Sequence, residues 1–430
     1  MSEIVNLEPR IVWEQFDAIT RVPRPSKKEG KIIEFLVDFA RKHNIEYKKD
    51  AIGNVVMRKP ATPGFEDRPA VILQSHMDMV CDKLVDVDFN FHTDAIQTYV
   101  DGEWLNAKGT TLGADDGIGC AIELAILDSD DIEHGPLECV FTRDEETSLT
   151  GAMGMKAGFM KGDMLINLDS EDEGQIFISC AGGKTTSARF TFEREAAPEG
   201  MFFLTASVKG LKGGHSGDDI NKKRANAIKI LARFLYKEQE KMNLRLAKFN
   251  SGKLHNAIPR DGSIVFAVPA SEKETVRADW NVFTANIEEE FHVTEPVMEF
   301  NLGSTDAESV LPKDASRRFI LCMQAVDNGV FAMCQDEALA YMVETSNNVA
   351  SVQTAENEIN VVASQRSNVM SNLENETNTV KAAFELAGAE VKMSDGYPAW
   401  KMNPDSKLTK VAVESYKKLF GKDPIVKGIH

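Results

Sequence analysis

Four short clusters of carboxylate and imidazole side chains recur early in the chain, each beside an apolar run: Ser75-His76-Met77-Asp78, Gly113-Ala114-Asp115-Asp116-Gly117, Arg143-Asp144-Glu145-Glu146-Thr147 and Asn167-Leu168-Asp169-Ser170-Glu171. The runs Ala70 to Gln74, Leu137 to Thr142 and Met164 to Leu168 are short and rich in large apolar residues, which predicts buried strands. Gly117 to Leu127 carries apolar side chains at 118, 121, 122, 125 and 126, the spacing of an amphipathic helix. Lys28 to His43 does the same at 32, 33, 36 and 39. Strands alternating with helices predict an α/β fold around a mainly parallel sheet. The carboxyl ends of such strands open on a cleft, so the fold itself would gather the four clusters.

His76 and Asp78 stand two apart after an extended run and so share a face. One ring nitrogen of His76 can then bind a metal while Asp78 fixes the ring's orientation. Asp115 and Asp116 open a helix, where a carboxylate caps exposed backbone N–H groups. Capping needs only one, and two adjacent carboxylates repel each other unless a cation neutralises them; cap and metal ligand both stay open for this pair. If Glu145 and Glu146 continue the strand before them, they point to opposite faces, one towards a metal and the other towards substrate. Asp169 either joins them or belongs to a solvated acidic loop running on through Glu171, Asp172 and Glu173. In this order the four clusters spell a two-metal hydrolase site.

Further motifs extend through the chain: Val22-Pro23-Arg24-Pro25-Ser26, Gly109-Thr110-Thr111-Leu112-Gly113-Ala114-Asp115, Gly210-Leu211-Lys212-Gly213-Gly214-His215-Ser216-Gly217, Asn256-Ala257-Ile258-Pro259-Arg260 and Tyr397-Pro398-Ala399-Trp400. With these the sequence resembles, over its whole length, the di-zinc exopeptidases, and within them the bacterial aminoacyl-histidine dipeptidases. The resemblance implies a metal domain with an inserted α+β lid domain, and hydrolysis of Xaa-His, carnosine-like dipeptides. It implies two zinc ions, with cobalt or manganese able to substitute: His76 and Asp169 on one, Glu146 on the other, Asp115 bridging them, and a cis peptide after Asp115. Glu145 would be the general base, Asp78 the carboxylate behind His76, and His215 the donor to the oxyanion. Asn256 and Arg260 would touch substrate, and Arg366 would clamp its terminal carboxylate through paired hydrogen bonds. A turn residue of a glycine-rich loop is the plain alternative for His215, and a surface salt bridge that for Arg366.

A chain of 430 residues exceeds one ordinary core. We divide it into 1–183, the first part of the metal domain; 184–398, a lid and dimerisation domain; and 399–430, a return to the metal domain. Strand-like Thr185 to Glu193 and Met201 to Lys209 open the second part, with helical spacing at about 222–242, 271–291, 314–327 and 371–388. A last helix is expected over Asp405 to Gly421. The net charge of −18 argues against nucleic acid and anionic membrane as partners. The chain begins with no basic and apolar leader, and no run approaches about 18 apolar residues. A cytoplasmic enzyme acting on small peptides is expected, homodimeric by resemblance. The six cysteines form no Cys-x-x-Cys pair and read as reduced, mostly core residues.

Two stretches depart from the resemblance. After Gly217 comes Asn221-Lys222-Lys223-Arg224-Ala225-Asn226, and the sequence stops at Ile429-His430, where relatives run on for several tens of residues and supply a histidine to the second zinc. The expectation is a truncated chain. A tripeptidase, an N-acyl amino acid hydrolase, or a non-catalytic fragment lacking the last zinc ligand are the alternatives.

Overall fold

The computed structural model describes residues 3–307, 309–335, 340–403 and 405–430. They form two compact units, Met1–Glu173 and Gly174–His430.

In the first unit, helices α1 (Arg10–Thr20) and α2 (Gly30–Lys42) precede strands β1 (Glu46–Lys49), β2 (Val55–Lys59) and β3 (Val71–His76). A hairpin, β4 (Thr98–Asp101) and β5 (Trp104–Ala107), leads to helix α3 (Ala114–Asp128) and strand β6 (Leu137–Thr142). The short helices α4 (Glu145–Ser148) and α5 (Thr150–Gly154) and strand β7 (Met164–Asn167) follow. Five strands make one sheet in the order β1-β2-β6-β3-β7. The expected parallel portion is β6-β3-β7, and β1 and β2 add an antiparallel edge.

The central strands β2, β6 and β3 are buried on both faces, and the period of two shows it residue by residue; β7, expected to be buried, lies at the sheet edge and leaves Leu165 and Ile166 exposed. Val55, Met57, Leu73, Cys139 and Phe141 join one core cluster with Phe16, Leu36 and Leu124 from α1, α2 and α3. Val56, Ile72 and Val140 point the other way, to Phe159. Burial on both sides is why these strands read as near-continuous apolar runs rather than as alternating ones. Each fully buried Phe or Leu contributes about 1.5–3 kcal/mol, so the sheet's register is held firmly where the site needs it.

The second unit is built on an antiparallel sheet. Its described strands run, edge to edge, Glu299–Ser304, Met201–Lys209, Gly262–Pro269, Arg245–Ser251, Val343–Thr354, Glu358–Ser367, Gly182–Thr191 and Glu390–Met393, with Gly329–Met333 also paired to Val343–Thr354. Helices Ala227–Gln239, Lys273–Phe291, Lys313–Ala325 and Met370–Leu386 form where helical spacing predicts them, and they share a core with the sheet that includes Phe234, Phe249, Trp280, Phe319 and Phe384. The first of these starts later than its apolar spacing suggests, because the Asn226 side chain accepts from the N–H groups of Ile228 and Lys229 and caps it there. Helix Lys407–Phe420 also forms. The division between the units falls before residue 183 because strand Gln175–Cys180 pairs in parallel with Ile425–Ile429 at the chain's end.

Candidate metal centre

Strand β3 ends on His76, β6 ends on Thr142 and β7 ends on Asn167. The three are parallel, so their carboxyl ends lie on one side, and the four clusters follow from them or face them. His76 Nε2 lies 2.8 Å from Asp115 Oδ1 and 3.9 Å from Asp169 Oδ2. His76, Asp115 and Glu146 each offer a ligand atom within 4.8 Å of one another. On the other side of the ring, Nδ1 is 3.4 Å from Asp78 Oδ1, close enough for an ion pair but not aligned as a hydrogen bond. Asp78 is wholly buried. It accepts from the Ser26 hydroxyl at 2.7 Å and from the backbone N–H of Glu145 at 3.0 Å and Glu146 at 3.4 Å. One carboxylate thus braces the imidazole and the chain segment that carries both glutamates.

Asp115 and Asp116 divide the two duties left open by the sequence. Both lie outside helical backbone geometry at the start of α3, and the peptide between them is cis, as the resemblance implies. Asp116 is buried and its Oδ1 accepts from the N–H of Gly119 at 3.1 Å, which is the cap. Asp115 is exposed and turns to His76. Glu145 and Glu146 stand on a helical turn and not on a continued strand, contrary to expectation. They do not extend β6: Asp144 adopts a left-handed φ of 51°, its carboxylate takes hydrogen bonds from Thr147 and Thr150, and the chain enters a helical turn. Neighbours on a helix diverge by about 100° rather than 180°, and both glutamates feel His76 and Asp115.

The electrostatics ask for a cation. Burial alone would lower the His76 pKa, yet its hydrogen bond to Asp115, the Asp78 carboxylate beside Nδ1 and the charge of Asp169 raise it to about 11. Burial, and then repulsion from the carboxylates around them, pushes Glu145, Glu146 and Asp169 above the ordinary carboxylate range against the pull of His76. Asp115 moves down because His76 donates to it. One imidazole with several carboxylates is also a donor set that zinc and similar divalent ions accept, so the residues present fit a metal.

Within the second unit, His215, Ser216, Arg366 and Tyr397 come together. Arg366 donates to Tyr397 Oη at 3.1 Å and to Ser216 Oγ at 3.3 Å, and its Nη2 lies 3.3 Å from His215 Nε2. Burial, then the Arg366 charge, lowers the His215 pKa, which favours the neutral ring. The short strand Gly214–His215 pairs with Ala257–Ile258, and the N–H of Ser216 donates to the Asn256 carbonyl at 2.9 Å. Arg260 is not part of this network; it lines a polar cleft with Lys209, Lys253, Asp261 and Gln353. Tyr397 and Arg24 carry no role in the sequence reading, although both stand in motifs quoted there.

Comparison with known proteins gives the family. The profile of "Peptidase family M20/M25/M40" matches residues 72–430. The chain is 38% identical over 432 residues to the cytosol non-specific dipeptidase of Escherichia coli (strain K12), covering 100% of this chain and 88% of that protein. The crystal structure of aminoacylhistidine dipeptidase from Vibrio alginolyticus superposes with a TM-score of 0.88 at 40% identity, over 100% of this chain and 87% of that one. A tripeptidase from Staphylococcus aureus, at 16% identity and a TM-score of 0.52 over 98% of this chain and 84% of its own, shares the fold. A match across most of its length, at such identity to a curated relative, places this chain in the peptidase family M20/M25/M40.

Proposed function

We propose that this protein is a zinc-dependent dipeptidase that cleaves unblocked dipeptides, those with C-terminal histidine among them. The observation that carries this reading is the convergence of His76, Asp115 and Glu146, with Asp169 beside them, at the carboxyl ends of parallel strands. Two of the proteins named above, from Escherichia coli and Vibrio alginolyticus, are dipeptidases. His76, Asp115, Glu146 and Asp169 would hold two divalent ions. Such ions polarise a carbonyl and lower the pKa of water towards 7. Glu145 takes the proton from the attacking water and returns it to the leaving amine; a bound cation would draw its raised pKa back down. Asp78 holds the His76 ring. His215 donates to the developing oxyanion and Arg366 grips the substrate's terminal carboxylate, while Asn256 and Arg260 line the substrate's path.

In the same reading, residues 1–183 and 399–430 make up the metal domain and 184–398 a lid that also dimerises. We place the protein in the cytosol; the Escherichia coli relative is named a cytosol dipeptidase. No described helix is long and apolar enough to cross a membrane. A substrate panel tests the specificity. Hydrolysis of Gly-His and β-Ala-His, with N-acetylated and amidated forms refused, is expected; cleavage of tripeptides or N-acyl amino acids alone would sink the dipeptidase reading.

A further inference from the structure

Arg24 lies between α1 and α2 and is only 2% exposed. Its Nη1 donates to the carbonyl oxygens of Met77 at 3.2 Å and Asp78 at 2.8 Å, and its Nη2 donates to the carbonyl of Gly113. Those carbonyls belong to two separate loops. One continues directly from His76 at the end of β3 and carries Asp78; the other leads into α3 and Asp115. The same stretch holds the first loop twice more, since the N–H of Met79 donates to the Arg24 carbonyl at 3.2 Å and the Ser26 hydroxyl donates to Asp78 at 2.7 Å.

The neighbours leave room for this guanidinium and for nothing larger. A Cβ on Gly113 would stand 2.5 Å from Arg24 Nη2, and one on Gly117 would stand 2.5 Å from the same atom and 3.2 Å from Cζ. Gly113 also needs its left-handed φ of 71°, but Gly117 has an ordinary helical backbone, so crowding accounts for the missing side chain there, the guanidinium first and then the Phe16 ring at 3.3 Å. Burying a charge is costly, and an aliphatic side chain would fill the space without that cost. What an aliphatic or a lysine cannot do is present a rigid, planar fork of donors to three carbonyls on two loops at once.

We propose that Arg24 is a positioning residue of the metal centre, fixing the spacing between the loop of His76 and the loop of Asp115 so that their side chains converge on one ion. The inference rests on reading that centre as a metal site. Its test is a cobalt(II) titration of the metal-stripped chain, followed by the visible d–d spectrum, alongside thermal melts in chelator. The parent is compared with Arg24→Lys, Gly117→Ala and a core substitution in α2, Leu36→Ala. The expected result is that Arg24→Lys and Gly117→Ala bind cobalt about 10- to 100-fold more weakly with a shifted spectrum. Leu36→Ala should lower the melting temperature and keep the parental affinity and spectrum. Cobalt binding within twofold of the parent and an unchanged spectrum in both site variants would overturn the proposal. So would equal weakening in Leu36→Ala. If Arg24→Lys does not fold, Gly117→Ala decides by the same criteria. A parent that binds no cobalt would instead overturn the metal reading, and this inference with it.

Discussion

Asp115 and Asp116 are identical in chemistry and adjacent in sequence, yet one faces His76 and the other caps a helix. The difference lies in where the backbone points them, and the same holds for Glu145 and Glu146. In the proposed mechanism Glu145 moves protons and Glu146 holds metal. Glu145→Gln is therefore expected to retain its metal while kcat falls roughly 100- to 10,000-fold, because an amide of the same shape cannot shuttle a proton. Glu146→Gln should lose metal first, and its activity should recover in part when excess metal is added. Metal analysis beside steady-state kinetics separates the two, and the reverse pattern would exchange their roles.

At the scale of elements, the site stands where three parallel strands end, and that much was legible. The apolar runs and the 3.6-residue spacing of α2 and α3 come from burial, which a sequence records directly. The turn after β6 was not legible. It is made by the left-handed backbone of Asp144 and its bonds to Thr147 and Thr150, side-chain contacts that leave no hydrophobic period behind. Arg24 was hidden for a different reason: its partners are backbone carbonyls 53, 54 and 89 residues away. Tyr397 resembles it, with its ring packed where Gly183 has no side chain. A Cβ on Gly183 would meet that ring at 2.7 Å, and Gly183 is paired with Arg366 across the sheet. Gly183→Ala should push Tyr397 away from Arg366. If Arg366 clamps the substrate carboxylate, KM should rise about 10- to 100-fold, the worth of a charge-assisted hydrogen bond, with kcat changed far less. An unchanged KM in the folded variant would remove Arg366 from that role.

At the scale of the whole molecule, stability and function draw on different charges. Glu376, in helix Met370–Leu386, is 7% exposed and its Oε1 is buried without a partner. Burial, and then the charge of Asp327, raises its pKa to about 7. The folded state therefore holds this proton more tightly than the unfolded chain does. The stability it contributes is full below the ordinary carboxylate range and is lost as pH rises through about 7. Glu376→Gln should be close to neutral at pH 5 and should raise the melting temperature by about 2–4 °C at pH 8, the equivalent of about 1 kcal/mol; equal shifts at both pH values would show that the carboxyl stays ionised in the fold. The chain belongs to a peptidase family and is similar to dipeptidases, and the residues at the strand ends are the proposed means of metal-dependent dipeptide hydrolysis. The most direct measurement strips the protein with chelator and then follows Gly-His hydrolysis as zinc, cobalt or manganese is returned in counted equivalents. The account predicts no hydrolysis by the stripped protein and recovery in step with bound metal, abolished by Glu145→Gln. Hydrolysis that persists without metal, or that returns equally in Glu145→Gln, would contradict it.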